Sequence, residues 1–362
     1  MLRVTDFGML LKFYDTLPLH YICSPLPSGL QSGHLRPRGR KQMAYRFAVD
    51  IGATATMLAL IESSSSLVVA HERPNTDAIF VEGRAPAEAF SEAVRRFLDQ
   101  RRVELGEISG IGVGVPGVVD RPRGTVLSCP NLRALDGAAL GPQASAQLGV
   151  PVCVANNTNL IALGEHTAGL GQGVGDMAVV WVGSGVGCGL VLNGRLYEGA
   201  SGAAAEFGHT IIVPNGLACS CGSHGCLEMY CSAKALNLVA EALFRPEVPR
   251  TAFTRYAGAH LLIEQASAGH VKAAMALFQA FTYLGIGLVN LVNLLNPKLI
   301  VLGGGIVFAW PEGVEVARKV AMSEALPQAR QNLSIEISQL QSYAGVLGGA
   351  ALVSAECALP GK

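Results

Sequence analysis

The chain has 362 residues and 50% of them are hydrophobic, which allows a large buried core and suggests about two domains or lobes. Its 27 basic residues balance its 27 acidic residues, so the overall charge does not call for nucleic acid, an anionic membrane or an acidic substrate. The nine cysteines include three that crowd together after position 218, unlike the spaced framework of a secreted disulfide-rich domain. A cytoplasmic location is therefore expected.

Residues 1–42 differ from the rest of the chain. They carry four prolines, show no sustained periodicity and end in a basic cluster from Arg36 to Lys41. No packed fold, signal peptide or helix-turn-helix is predicted there. Two interpretations stay open: a solvated tail or over-extended start, with Met43 as the natural first residue, or a basic arm that contacts phosphates.

Strands and helices alternate after this leader. An apolar strand at 45–51 runs into a glycine turn at 50–54, and a second strand covers 57–61. Pro86 opens a predicted amphipathic helix, and strands at 111–115 and 150–154 follow. This order is typical of an α/β fold.

The strand–turn–strand pattern then returns. A strand at 177–182, a glycine turn at 183–187 and a strand at 188–192 repeat it, which predicts two related lobes. A third glycine cluster at 303–305 follows another strand, and a small-residue helix starts near 345. The uncharged stretch 273–295 is long enough to span a bilayer, but its polar residues and its α/β surroundings favour a core or subunit-interface helix.

Glycine turns after apolar strands can present backbone N–H groups to phosphate oxygens. A single such turn is more often an ordinary hairpin, whereas three in a two-lobed pattern favour nucleotide binding. A carboxylate beside such a turn can hold Mg²⁺, although a turn-capping aspartate is the alternative. The predicted nucleotide and magnesium residues are Asp50, Gly52, Thr54, Gly183, Ser184, Gly185, Gly304 and Gly305.

The most specific motif is the cysteine knuckle, defined here as residues 219–226. Three thiolates and one imidazole form the closed tetrahedral shell of a structural zinc site. The predicted zinc ligands are His209, Cys219, Cys221 and Cys226. His224 is interpreted as a solvent-facing loop residue, although its spacing alone does not rule it out as the fourth ligand.

In motif order, the sequence from Asp50 to the C-terminal helix resembles the ROK family of bacterial sugar kinases and sugar-responsive repressors. The matching motifs are the glycine turns, Gly114 to Gly117, Pro130 to Leu132, the asparagines at 156–159, Glu206 to His209 and the knuckle closing on Glu228. The resemblance implies an actin-like ATPase (ribonuclease H-like) two-lobed α/β fold. It implies a small lobe at 43–157, to which a helix at about 344–358 packs back, and a large zinc-bearing lobe at 158–340.

The same resemblance implies a sugar as the small-molecule ligand, with ATP and Mg²⁺ as cofactors if the protein is a kinase. We expect the protein to form a homo-oligomer. We do not expect it to bind a membrane or nucleic acid. Amide and carboxylate side chains suit the hydroxyls of a sugar ring. The implied sugar-binding residues are Asn131, Asn156, Asn157, Glu206, His209 and Glu228.

The sequence departs from the kinase pattern at two positions. The resemblance implies an aspartate as general base directly after Asn156, but Asn157 stands there, and an amide does not accept a proton. Ala53 replaces a glycine in the first turn, which would be strained if the backbone needed a positive φ. Two functions remain: a non-catalytic sugar sensor without a DNA-binding domain, or an active kinase in which Asp50 or a water chain replaces the base.

Overall fold

The computed structural model describes residues 44–81, 83–245, 248–249, 253 and 256–356. The predicted tail or basic arm lies outside these residues. The strands are β1 Tyr45–Ile51, β2 Thr56–Glu62, β3 Val68–Glu72, β4 Ile108–Val115, β5 Val118–Asp120, β6 Thr125–Ser128, β7 Val152–Asn156, β8 Met177–Val182, β9 Val186–Leu192, β10 Arg195–Tyr197, β11 Leu299–Gly303 and β12 Ser334–Ile337. The helices are α1 Pro86–Gln100, α2 Leu140–Leu148, α3 Asn157–Ala168, α4 Glu228–Cys231, α5 Ala233–Phe244, α6 Ala257–Ser267, α7 Val271–Leu295, α8 Gly305–Ala309, α9 Glu312–Glu324, α10 Pro327–Arg330 and α11 Ala344–Glu356.

Two five-stranded sheets share one topology. The first has the order β3-β2-β1-β4-β7 and the second the order β10-β9-β8-β11-β12. In each sheet the first three strands along the chain form an antiparallel meander. The fourth strand pairs in parallel with the first, and the fifth pairs in parallel with the fourth. The duplication that the repeated glycine turns predicted is confirmed. Helices connect the parallel strands, as such connections require.

Each sheet has its own hydrophobic core. The first sheet packs against α1. This helix begins at Pro86, and its buried face includes Phe90, Val94 and Phe97. The second sheet packs against α5, α6, α7 and α9. A third cluster joins residues of both sheets, such as Ala59 of β2 and Val179 of β8, with residues of α3 and α11. Helices α3 and α11 therefore share one hydrophobic core with strands of both sheets.

Helix α7 is long and apolar enough to cross a membrane, by length and composition alone. Half of its most apolar stretch is buried inside the protein. Leu277, Phe281, Leu284 and Leu288 are among its buried residues and belong to the core of the second sheet. The helix ends at Asn296, which adopts the left-handed conformation with φ of 46°. The structure therefore supports the prediction of a core helix.

Helix α11 lies so close to β4 and α3 that its neighbours need glycine. A Cβ atom on Gly112 would lie 2.1 Å from the carbonyl oxygen of Gly349, and one on Gly348 would lie 1.7 Å from that of Leu160. Both distances are far inside van der Waals contact, so the small residues that marked this helix in the sequence let three backbones meet. This packing fixes α3, whose first residues reach the site described next.

Candidate functional site

The cysteine knuckle and His209 form a compact cluster of possible metal ligands. One ligand atom from each of His209, Cys219, Cys221 and Cys226 lies within 4.8 Å of all the others. Cys219 Sγ is 3.6 Å from His209 Nδ1, and Cys221 Sγ is 3.7 Å from Cys226 Sγ. A tetrahedral zinc ion with bonds of about 2.3 Å to sulfur separates its sulfur ligands by about 3.8 Å. The donor set and its spacing therefore fit a structural zinc ion.

Backbone hydrogen bonds shape the knuckle around this cluster. Cys219 N–H donates to the Ser223 carbonyl at 2.8 Å, and Gly222 N–H donates to the Cys219 carbonyl at 3.0 Å. Gly225 adopts φ of 77°, and a Cβ atom there would lie 1.8 Å from the Val213 carbonyl oxygen. His224 is exposed and is not part of the cluster. The geometry thus favours His209 over His224 as the fourth ligand.

A cleft lies where four segments of the chain meet. Its empty volume is about 350 Å³, a figure that includes open solvent at its mouth. These segments are the start of β5 with the glycine before it, the end of β7 with the start of α3, the start of β9, and residues 202–206. The lining residues are Gly117, Val118, Asn156, Thr158, Asn159, Gly187, Cys188, Gly202, Ala204, Ala205 and Glu206. Two of the predicted sugar residues, Asn156 and Glu206, therefore line one cleft.

Asn156 is held rigidly as the N-cap of α3. Its Oδ1 accepts hydrogen bonds from the N–H groups of Thr158 and Asn159, and its Nδ2 donates to the Gly117 carbonyl. An asparagine amide has one more N–H to donate, so Asn156 can offer a ligand a single donor. Asn156 is therefore a helix cap that keeps one amide hydrogen available.

Asn157 is the first residue of α3, next in sequence to this cap. Its Oδ1 lies 3.4 Å from the Thr158 hydroxyl, which donates to it. A Cβ atom on Gly114 of β4 would lie 3.2 Å from the Asn157 Cα and Cβ atoms. The side chain is half-buried at the carboxyl ends of β4 and β7. An amide in this position can hydrogen-bond a hydroxyl and cannot deprotonate it.

The predicted sugar residues differ in exposure and in whether they line the cleft. Asn131 is exposed and lies in the turn after β6. Glu206 is also exposed, and it directly precedes the short 3₁₀ helix that contains His209. The Glu228 Oε2 atom accepts a hydrogen bond from Val186 N–H at 3.0 Å. Asn131, Asn157, His209 and Glu228 are not among the cleft-lining residues.

Cys188 is a cleft residue that the sequence did not single out. Burial, together with the negative charge of Glu206, raises the pKa of its thiol to about 12. A neutral thiol is therefore part of the cleft wall. The local sequence does not reveal this position, because Cys188 lies within an apolar strand and has no motif around it. Only the tertiary fold brings it to the cleft.

The first glycine turn carries a buried carboxylate. Burial raises the pKa of Asp50 to about 7, against a smaller opposing effect of Arg73. Its Oδ1 atom is buried and has no hydrogen-bond partner among the described residues. Such an orphaned oxygen fits the prediction that Asp50 would hold Mg²⁺ directly or through water. The exposed Thr54 and the half-buried Gly52 belong to the same turn.

Two buried threonines stabilise this turn through hydrogen bonds. The Thr76 hydroxyl donates to the Gly52 carbonyl at 2.7 Å and lies 3.0 Å from the Thr56 hydroxyl. Both threonines are fully buried. Ala53 has no positive φ, so the condition under which the alanine would strain the backbone is not met. The alanine costs this turn no left-handed strain.

The second and third glycine turns lie against each other. Gly183 N–H donates to the Gly185 carbonyl at 2.9 Å, which closes the turn around Ser184. Gly304 has φ of 99°, and a Cβ atom there would lie 2.3 Å from the Val182 carbonyl oxygen, directly before Gly183. Gly305 then begins α8. The second sheet thus brings two of the three predicted phosphate turns together.

Comparison with known proteins agrees with this arrangement. The model of the ROK family matches residues 46–356. The chain belongs to the ROK family. A glucokinase of Halalkalibacterium halodurans is 30% identical over 311 residues, which are 84% of this chain and 93% of that protein. A xylose repressor of Caldicellulosiruptor bescii is 35% identical over 254 residues, which are 68% of this chain.

Solved structures of ROK proteins share the fold. A Streptomyces griseus glucokinase in complex with glucose and AMPPNP matches with a TM-score of 0.72 and 30% identity, covering 85% of this chain and 98% of the glucokinase. A ROK transcriptional regulator, a homologue of the Escherichia coli MLC protein, matches with a TM-score of 0.74 and 27% identity, covering 86% of this chain and 78% of the regulator. The predicted actin-like α/β fold is confirmed. The chain spans 62% of the length of the xylose repressor.

Proposed function

We propose that this ROK protein binds a small sugar in the cleft lined by Asn156 and Glu206 and acts as a sugar sensor with little or no kinase activity. The observation that carries the proposal is the amide of Asn157 at the family's general-base position, at the first turn of α3 and beside the Asn156 cap. Loss of a positioned general base lowers a phosphoryl-transfer rate by about 10²- to 10⁴-fold. Asparagine is close to aspartate in shape, so sugar binding survives this change.

The polar residues around the cleft support the sugar as ligand. Asn156 retains one N–H donor, and the exposed carboxylate of Glu206 offers acceptors on the facing segment. Relatives of both branches also point to sugars, since their names are glucokinase and xylose repressor. The homo-oligomer, the cytoplasmic location and the structural zinc ion stay predictions of this proposal.

An active ATP-dependent kinase that phosphorylates the sugar 6-hydroxyl is the second candidate function. The pKa of about 7 that burial gives Asp50 favours it, because a general base works best with a pKa near the working pH. Asp50 pairs in register with Gly114, and Gly114 contacts Asn157. In this candidate function ATP and Mg²⁺ occupy the three glycine turns, and Asp50 or a water chain replaces the missing base.

A coupled ADP-release assay separates the two functions. The wild type and Asn157→Asp are compared on glucose, N-acetylglucosamine, N-acetylmannosamine, mannose, allose and xylose. The sensor predicts sugar-dependent thermal stabilisation of the wild type without turnover, and a gain of about 10²-fold or more in Asn157→Asp. Wild-type turnover equal to that of Asn157→Asp would refute the sensor. The absence of binding to any sugar would refute the whole proposal.

A further inference from the structure

Arg121 joins three segments of the chain at the edge of the cleft. It directly follows β5, whose first residue, Val118, lines the cleft. Its Nη2 atom lies 2.8 Å from Glu198 Oε2, and its Nη1 atom lies 2.7 Å from Glu356 Oε1. Glu198 follows β10 of the second sheet, and Glu356 is the last residue of α11. One guanidinium therefore binds two carboxylates that are distant in sequence.

The ion pair with Glu198 is partly shielded from solvent. The exposed fraction is 33% for the Arg121 side chain and 19% for that of Glu198. Burial raises the pKa of Glu198, and the charge of Arg121 opposes that rise. The planar fork of arginine suits such a double contact, whereas a lysine ammonium does not reproduce it.

Glu198 begins a segment that we call the cleft loop, residues 198–206. This loop ends in the cleft-lining residues Gly202, Ala204, Ala205 and Glu206. Ala204 N–H donates to the Glu198 carbonyl at 3.1 Å, so the two ends of the loop are tied to each other. A Cβ atom on Gly202 would lie 3.2 Å from the Val119 carbonyl oxygen, which places the loop directly against β5.

The cleft loop also stores backbone strain next to Glu206. Ala205 adopts φ of 64°, a left-handed conformation that an alanine avoids unless its surroundings impose it. A strained turn of this kind needs contacts that hold it. The ion pair at the start of the loop is such a contact, and it connects the loop to the other side of the cleft.

We propose that Arg121 is a positioning residue for the sugar: it holds the cleft loop against β5 and so fixes the side of the cleft that carries Glu206. The inference rests on the proposed sugar-binding function for the meaning of the cleft. It does not require Arg121 to touch the sugar. Glu356 anchors the same guanidinium to α11, which keeps it aimed at Glu198.

The test is hydrogen exchange on the full chain without ligand, combined with calorimetric titration with glucose and with xylose. Arg121→Gln should speed exchange in the peptide 199–206 and weaken sugar binding, each by about fivefold, the size expected for a partly buried ion pair. Arg121→Lys should restore part of both losses. The matched control is Arg123→Gln, because Arg123 is 82% exposed and its ion pair is with the nearby Asp120. Equal unfolding temperatures in the Arg121→Gln and Arg123→Gln variants exclude a general loss of stability.

Unchanged exchange in Arg121→Gln, or an equal change in Arg123→Gln, would overturn the positioning role. Raised ionic strength should bring the wild type toward Arg121→Gln, since salt screens a partly exposed pair. If the wild type binds neither glucose nor xylose nor the other sugars tested for the proposed function, that function fails. The exchange comparison still decides on the role of Arg121 in that case.

Discussion

The carboxylate of Glu228 accepts a hydrogen bond from the backbone N–H of Val186 across 3.0 Å. Glu228 follows the cysteine knuckle by two residues, and Val186 closes the second glycine turn. A Cβ atom on Gly185 would lie 2.2 Å from the same carboxylate oxygen, so a glycine is needed to let the carboxylate in. The predicted zinc site and a predicted phosphate turn are therefore joined by one side chain.

Removal of this carboxylate should loosen the second glycine turn. Glu228→Ala leaves the Val186 N–H without its charged acceptor and should lower the free energy of unfolding by about 1–2 kcal/mol. Glu228→Gln keeps an acceptor oxygen and should cost less than half as much. Urea unfolding followed by circular dichroism measures both. Equal losses in the two variants would show that the hydrogen bond to Val186 is not what the carboxylate contributes.

The zinc site makes a prediction that uses two histidines of the same segment. His209→Ala should abolish the binding of one zinc ion per chain, measured by atomic absorption, because it removes one of four ligands. It should also lower the unfolding temperature by several degrees, since a structural metal stabilises the folded state it binds. His224→Ala is the control and should keep its zinc, because His224 is exposed outside the cluster.

Chelation of the metal extends the same prediction to ligand binding. A chelator should weaken sugar binding by the wild type, because Glu206, Glu228 and the knuckle are connected through His209 and the short helices beside it. Unchanged sugar affinity after zinc removal would contradict the role of the knuckle in shaping the cleft. Zinc loss from His224→Ala and not from His209→Ala would exchange the roles of the two histidines.

Much of the fold could be predicted because the strands are continuous apolar runs that end in glycine. The predicted strands at 45–51 and 177–182 agree with β1 and β8 at every residue. The strand predicted from Val150 begins two residues later at Val152, after Pro151, which has no N–H for the ladder. The strand predicted from Cys188 begins at Val186, because the hairpin turn is tighter than its glycines suggest.

The parts of the site that could not be predicted depend on contacts between distant residues. Thr76 supports the Gly52 carbonyl from 24 positions away, and Arg121 reaches Glu198 from another sheet. Neither residue belongs to a motif, and neither has a local pattern that distinguishes it from a surface residue. The zinc ligands were predictable for the opposite reason, because cysteine spacing is itself the signal of a metal site.

Asp50 should make stability depend on pH. Its pKa is about 7 in the folded protein against 3.8 as the ordinary value, so the folded state holds a proton that the unfolded state has released between these values. Stability therefore falls as the pH rises from about 4 to about 7. Asp50→Asn should remove this part of the slope and raise the free energy of unfolding at pH 8 by about 1–3 kcal/mol.

Urea unfolding at pH 4, 6 and 8 measures this difference. Glu165, whose pKa burial also raises, contributes the same slope to wild type and variant, so the comparison isolates Asp50. Added Mg²⁺ and ATP should reduce the difference if the ionised carboxylate binds the metal. A wild type that gains stability relative to Asp50→Asn as the pH rises would contradict the burial of this carboxylate.

The contact between β4 and α11 gives the largest expected effect on stability. Gly112→Ala places a methyl group 2.1 Å from the Gly349 carbonyl oxygen, a backbone atom that cannot move without shifting α11. We expect the free energy of unfolding to fall by about 3 kcal/mol or more, because the added methyl group overpacks the core. Gly106→Ala is the matched control, because a Cβ atom there meets nothing within 4 Å and its φ is not positive. Thermal unfolding of both variants measures the difference, and similar stability in the two would mean that α11 does not pack against β4 as described.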